Sequence, residues 1–126
     1  MIFGIGTDIT EVSRFKKWVS DPKMLKRFFN ENEIMDGVTE KAKLEHYAVR
    51  FAAKEAFSKA IGTGILGYDL KDVYIVKNEE GKPFMKISGK AEKIINERCP
   101  NSSVHVSLSH EKEYAVAFVI IEKNQE

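Results

Sequence analysis

Alternation marks the first stretch of the chain. In residues 2–9, Ile5, Thr7 and Ile9 take one parity and Gly4, Gly6 and Asp8 the other, which is the period of a strand. Two glycines on one face leave room for another group to approach the backbone closely. Asp8 closes that glycine face. The spacing then changes. Over 11–19, Val12, Phe15, Trp18 and Val19 fall on one side of a helix. Asp21-Pro22 starts a second short helix, with proline near its first turn, carrying Leu25, Phe28 and Phe29. Asn30 followed by Glu33 fits a capping box for a third turn, and Gly37 ends it.

The strongest helical pattern spans 41–61. Its EHYAVRFAAKEAFSKA run has no glycine or proline and is rich in alanine. Gly62 is placed to stop it in the left-handed conformation, and 62–69 is a glycine-rich connection. Residues 72–77 read as a strand, NEEGKP as a turn and 84–87 as the returning strand. Ser88 is set to cap a helix bearing Ala91, Ile94, Ile95 and Arg98, which Pro100-Asn101 breaks. Residues 104–109 alternate again, HEKE turns, and 114–121 is the most apolar strand. The order predicts an α+β fold with a mainly antiparallel sheet, one long helix and several short ones.

Composition narrows the class. The chain has 126 residues, 43% hydrophobic and 31% charged, enough for a core and too apolar for a disordered chain. With no repeat and no Gly/Ser linker, residues 1–126 are expected to form a single domain. The net charge of +1 argues against a globally basic nucleic-acid binder. A lone Cys99 excludes an internal disulfide and a cysteine-rich zinc site, and fits a reducing compartment. No run reaches the length of a membrane span, and the N-terminus lacks signal-peptide features, so a cytoplasmic location is expected.

Candidate chemistry sits on the long helix. At 100° per residue, Leu44, Ala48, Ala52, Glu55 and Lys59 fall within about 80° of one another. The main apolar face, with Val49, Ala53, Ala56, Phe57 and Ala60, lies elsewhere. Glu55 and Lys59 can simply form an i,i+4 surface pair. They can also place a carboxylate and an ammonium in a cleft floored by alanines, for a metal and a phosphate. Asp8 is either a cap for the following turn or a second metal carboxylate. Magnesium is held by one or two protein carboxylates with waters and substrate phosphates. Asp8, Glu55 and a phosphorylated substrate meet that count.

Gly62-Thr63-Gly64 can bring the backbone near a phosphate or can merely stop the helix. It is not a Walker motif, because Lys59 precedes the glycines. Residues 13–30 carry Arg14, Lys16, Lys17, Lys23, Lys26 and Arg27 against Asp21 alone, with Phe15, Trp18, Phe28 and Phe29 among them. Such a segment is two amphipathic helices with solvated basic faces, a nucleic-acid contact using stacking, or a dock for an acidic protein. His105 and Ser107 share a strand face, and Ser109-His110 begins a turn. A serine–histidine hydrolase is disfavoured, since there is no nucleophile elbow or third member. A phosphate contact or plain exposure suits these histidines better. His46 near Arg50 reads as structural, and Cys99 has no activating group.

Taken together, GIGTDITEVSRF at 4–15, RFAAKEAFSKAIGTGI at 50–65, GKPF at 81–84 and HVSLSHEKEYAVAFVI at 105–120 resemble the holo-acyl-carrier-protein synthases. These are the small bacterial 4′-phosphopantetheinyl transferases. The resemblance runs almost end to end. It implies that family's fold and transfer of 4′-phosphopantetheine from coenzyme A to a serine of apo-acyl carrier protein in fatty acid biosynthesis. The second product is adenosine 3′,5′-bisphosphate. It implies Mg²⁺, with Asp8 and Glu55 matching the metal carboxylates and Lys59 the phosphate-binding lysine. Asp8, Glu55 and Lys59 are then the expected catalytic group, with Glu55 the candidate base, directly or through a water relay. Gly62, Gly64, His105 and His110 become candidate coenzyme A contacts. Arg14 matches a residue that meets the acidic helix of the carrier, and Arg27 falls at a similar place. Lysines at 17, 23 and 26 depart from the usual pattern and give less bidentate geometry than arginine. The resemblance further implies a homotrimer with active sites at subunit interfaces, for which the glycine face of the first strand would need open surface.

Two other classes use the same features differently. A single-strand nucleic-acid module would employ the basic aromatic segment and leave Asp8, Glu55 and Lys59 idle. A metal-dependent phosphohydrolase would employ the same three residues with water as nucleophile.

Overall fold

A computed structural model describes residues 1–125. Strand β1 (Ile2–Glu11) leads through a 3₁₀ turn (Val12–Phe15) into the single turn α1 (Lys16–Val19) and then α2 (Pro22–Phe28). A second 3₁₀ turn (Glu31–Glu33) precedes the long helix α3 (Glu40–Ile61). A third (Leu70–Asp72) opens the hairpin β2 (Val73–Lys77) and β3 (Pro83–Ile87). Helix α4 (Gly89–Arg98) follows, and then β4 (Ser102–His110) and β5 (Tyr114–Lys123). The α+β class is borne out. The strands form two antiparallel sheets, β1-β5-β4 and β2-β3, rather than one. The helical spacing at 11–19 resolves into the end of β1, the 3₁₀ turn and α1, because the strand continues its pairing to Glu11 opposite Tyr114.

Helix α3 lies across the inner face of the larger sheet. Ala115, Ala117, Val119 and Ile121 of β5 are completely buried beneath it. The reason for the glycine face of β1 is now plain. A Cβ on Gly4 would stand 1.9 Å from the Ala60 carbonyl oxygen, and one on Gly6 would stand 1.9 Å from that of Ala56. No real Cβ tolerates such a contact, so the glycines let helix and strand backbones touch. The expectation of open surface on that face is therefore corrected: the chain's own α3 covers it.

The outer face of the same sheet is uncovered. Ile5, Ile9 and Phe118 are 60%, 62% and 48% exposed. Thr7 stands opposite Phe118, and Phe118 opposite Ser107.

Local signals explain the helix ends. Thr39 accepts from the Ala42 N–H at the start of α3, and Gly62 closes it at φ 86°. The Asn30–Glu33 capping box forms. Ser88 takes the N-cap position of α4, but its hydroxyl donates to the Asp72 carbonyl rather than capping the helix.

Candidate active site

The N-terminal strand and the long helix carry the site. Asp8 has the parity of Gly4 and Gly6, so it faces α3 one register step beyond the two glycines. Lys59 Nζ donates to Asp8 Oδ1 at 3.2 Å and to the Thr7 carbonyl at 2.9 Å. The i,i+4 surface pair is thus not what forms: Lys59 reaches across to β1 instead of closing on Glu55. Glu55 stands close to both. Burial pushes its carboxyl above the ordinary range, the Asp8 charge adds to this, and Lys59 and Arg14 oppose it.

Beside Glu55 opens a cavity of about 390 Å³. Trp18, Phe28 and Phe51 wall it, Tyr68 lies beneath, and Arg14 and Arg27 stand at its edge. Arg14 lies over the Phe51 ring, 5.0 Å from its centre, and Arg27 lies 5.1 Å over Phe28. The floor is thus aromatic. The expected alanine floor is not there, because Ala48 and Ala52 are completely buried. Phe15 and Phe29 are equally buried and offer no stacking surface to a base.

The histidines lie apart from the carboxylates. His110 Nδ1 is 2.8 Å from Glu45 Oε2. Together with His46, Arg50, Lys77 and Pro83 it lines a second cavity of about 420 Å³ that shares no lining residue with the first. His105 is on the outer sheet face, 3.0 Å from Glu122. His46 is structural as read: its Nε2 lies 2.6 Å from the Glu33 carbonyl oxygen. Gly62 serves the helix end, its N–H donating to the Ser58 carbonyl, and Gly64 faces open space at φ 65°. Cys99 is buried in the core.

Sequence reasoning missed Arg50, Lys77 and Glu45 as cavity-lining charges. Arg50 was legible as a helical neighbour of His46, one turn on. Lys77 comes from the hairpin, and only the tertiary fold brings it there.

Asp8 and Glu55 present hard oxygen donors. Lys59 brings one positive charge to the two carboxyl groups. That donor set fits a magnesium ion, which completes its shell with water and phosphate oxygens. Among the described residues, no group of three or more His, Cys, Asp or Glu is arranged to hold a metal. An ion held by these two carboxylates would need water and substrate oxygens for its other positions.

A strand-borne aspartate faces a glutamate and a lysine on one helix, with arginines beside an aromatic cleft. The family comparison names the class. The model of the 4′-phosphopantetheinyl transferase superfamily matches residues 4–119. The chain belongs to that superfamily. It is 47% identical over 123 residues to a holo-[acyl-carrier-protein] synthase of Treponema denticola, covering 97% of this chain and 99% of that one. The structure is similar to a holo-(acyl-carrier-protein) synthase from Bacillus anthracis in complex with CoA (3′,5′-ADP). That match has 38% identity, a TM-score of 0.81, and coverage of 98% and 99% of the two chains. The synthase from Neisseria meningitidis matches at 34% identity with a TM-score of 0.83, over 98% of this chain and 100% of that one.

Proposed function

We propose that this chain is a holo-acyl-carrier-protein synthase. It transfers 4′-phosphopantetheine from coenzyme A to a serine hydroxyl of apo-acyl carrier protein, releasing adenosine 3′,5′-bisphosphate. The observation that carries the reading is the meeting of Asp8, Glu55 and Lys59 beside a cleft edged by Arg14 and Arg27.

Lys59 holds its ammonium at Asp8 while its side chain stays half exposed, so it can turn toward the pyrophosphate. There it stabilises charge gathering on the leaving phosphate. The serine loses a proton as its oxygen bonds to phosphorus and the bond to the leaving oxygen breaks. Glu55, whose carboxyl burial raises, takes that proton through an intervening water. Asp8 and Glu55 would hold Mg²⁺, which when bound offsets the negative charge of the pyrophosphate. Arg14 and Arg27, presented over aromatic rings, meet an acidic carrier and bring its serine to the cleft. Gly62, Gly64, His105 and His110 remain candidate contacts for coenzyme A.

We further infer a homotrimer with active sites between subunits. Two facts support it. The outer sheet face exposes Ile5, Ile9 and Phe118, an apolar patch that association would cover. Within one chain the cationic cavity at His110 stands apart from Asp8, Glu55 and Lys59, so a second chain can supply it. The proposed setting is the cytoplasm; no helix among the described residues is long and apolar enough to cross a membrane.

The test is intact mass of an apo-acyl carrier protein incubated with the chain, coenzyme A and Mg²⁺. A gain of about 340 Da, the unit moved by this phosphoryl transfer, lost with EDTA, is expected. Coenzyme A turnover without a carrier would favour the phosphohydrolase instead.

A further inference from the structure

We propose that the buried Lys54–Glu33 pair is a positioning device for this site, fixing the walls of both cavities against helix α3. The proposal rests on the transferase reading for what the cavities do, and on geometry for the rest.

Both side chains are essentially inaccessible, at 1% and 0%. Lys54 Nζ has three protons and three acceptors: Glu33 Oε1 at 2.6 Å, the Leu70 carbonyl at 3.1 Å and the Val73 carbonyl at 2.5 Å. Glu33 accepts two further bonds. Its Oε1 also accepts from the Asn30 N–H, and its Oε2 accepts from the Ile75 N–H. One ammonium therefore ties three segments that are distant in sequence: the turn at 30–35, helix α3 and the entry to β2.

Each tied segment contributes a wall. Leu70 lines the aromatic cavity beside Tyr68, Asp69 and Glu55. Met35 and His46 line the cationic cavity. His46 is bonded to the Glu33 carbonyl, and the Met35 N–H donates to the Tyr47 hydroxyl. Lys54 Nζ also lies 5.2 Å over the Phe29 ring, and Phe29 meets Trp18 with ring centres 6.0 Å apart. The anchor lies one residue before Glu55. It fixes the rotation of α3 where Glu55 leaves the helix.

Stability alone gives little reason to keep such a pair. Replacing a buried ion pair by neutral groups of similar volume is often harmless to the fold, whereas removing one partner is not. A fully satisfied tripod does, however, allow only one arrangement of the three segments.

The experiment compares the wild-type chain, Glu33→Gln, Lys54→Met and the double variant Glu33→Gln/Lys54→Met. Melting temperatures give the folded fraction at the assay temperature, and intact-mass kinetics give kcat and KM for coenzyme A and carrier per folded molecule. Lys54→Met is expected to melt lower than the double variant, since it leaves the Glu33 carboxylate buried without its cation. The double variant is expected to be folded yet to lose on the order of 10²-fold in kcat/KM, with KM for both substrates raised, because walls displaced by about 1 Å cost that much. Iodide quenching of Trp18, the sole tryptophan, should rise in parallel, and that readout needs no turnover.

A merely structural pair would lower only the folded fraction, leaving KM and Trp18 quenching per folded molecule unchanged. That result overturns the proposal. If the double variant is unfolded, Glu33→Gln decides by the same ratio, since its amide oxygen still accepts and Lys54 keeps both carbonyl partners. A wild-type chain with no transfer activity sinks the transferase reading. Trp18 quenching then still judges the wall-positioning claim.

Discussion

Lys59 Nζ lies 3.2 Å from Asp8 Oδ1, joining the second residue before the end of a helix to the middle of the first strand across 51 residues of chain. The contact requires that β1 and α3 touch backbone to backbone, and the charges gather where the glycines stop. Asp8→Ala and Glu55→Ala are expected to lower turnover by at least about 10²-fold, as loss of groups that stabilise transition-state charge does. Because Lys59 holds its half of the Asp8 pair largely in solvent, loss of that pair should cost at most about 1 kcal/mol of stability. Intact-mass kinetics at saturating Mg²⁺ together with thermal melts check this. Near-normal turnover in either variant would exclude the two-carboxylate metal site.

Gly6→Ala tests the close approach itself. The added methyl group would meet the carbonyl of Ala56, which is backbone and cannot swing aside. The expected loss is about 2–4 kcal/mol in urea unfolding, since overpacking of this kind forces main-chain shifts. Gly64→Ala, by contrast, meets no atom within 4 Å. It should lose only what its left-handed φ demands, about 1 kcal/mol. Equal losses at the two positions would contradict the packing argument.

The legible and illegible parts of the chain divide along physical lines. Period-2 and period-3.6 patterns placed β1, α3, the hairpin and the final strands, because each buries one regular face. The shared parity of Gly4, Gly6 and Asp8, and the shared arc of Glu55 and Lys59, are both local, so the sequence alone points to these residues, while their meeting needs the fold. Lys54 is not legible in this way. It lies one step from that arc, and its burial depends on a carbonyl pair 16 and 19 residues away and on Glu33. Glu33 reads as a cap, which it is. Its second role needed the β2 entry to fold over it. The short turns at 12–19 blurred for a similar reason: strand pairing set where helix could begin.

The apolar outer face makes its own demand. Phe118→Asp introduces a charge between Thr7 and Ser107 on the exposed side of the sheet, opposite the buried alanines. Because Phe118 is half exposed in the single chain, folding should change little while association is lost. Analytical ultracentrifugation is expected to show a trimer for the wild type and a monomer for the variant, with transfer activity falling alongside. A monomeric wild type with full activity would exclude sites shared between chains.

Arg14 stands between the aromatic cleft and Glu55. It is held over Phe51 and lies close enough to Glu55 to oppose the rise of that carboxyl. Arg14→Glu is expected to raise the carrier's KM by about tenfold or more, as charge reversal at a docking surface does, with a smaller change for coenzyme A. High salt should narrow the difference between the wild type and the variant, since exposed charges are screened. Equal losses for both substrates would indicate damage to the cleft rather than to docking.

His46 gives the fold a defined acid weakness. Burial, helped by the Arg50 charge, depresses its imidazole from an ordinary 6.5 to about 4, although the bond to the Glu33 carbonyl works the other way. Between those two values the unfolded chain takes up a proton that the folded chain refuses, so stability falls as pH drops from about 6.5 to 4 and is unaffected by this group above that window. His46→Gln can still donate to the Glu33 carbonyl and has no such titration. The wild type should therefore lose on the order of 2 kcal/mol more than the variant across the window. Urea unfolding at pH 7.5, 6, 5 and 4 measures the difference. Parallel curves for the two proteins would mean that His46 is protonated in the folded chain as readily as in the unfolded one, and that burial does not depress its imidazole.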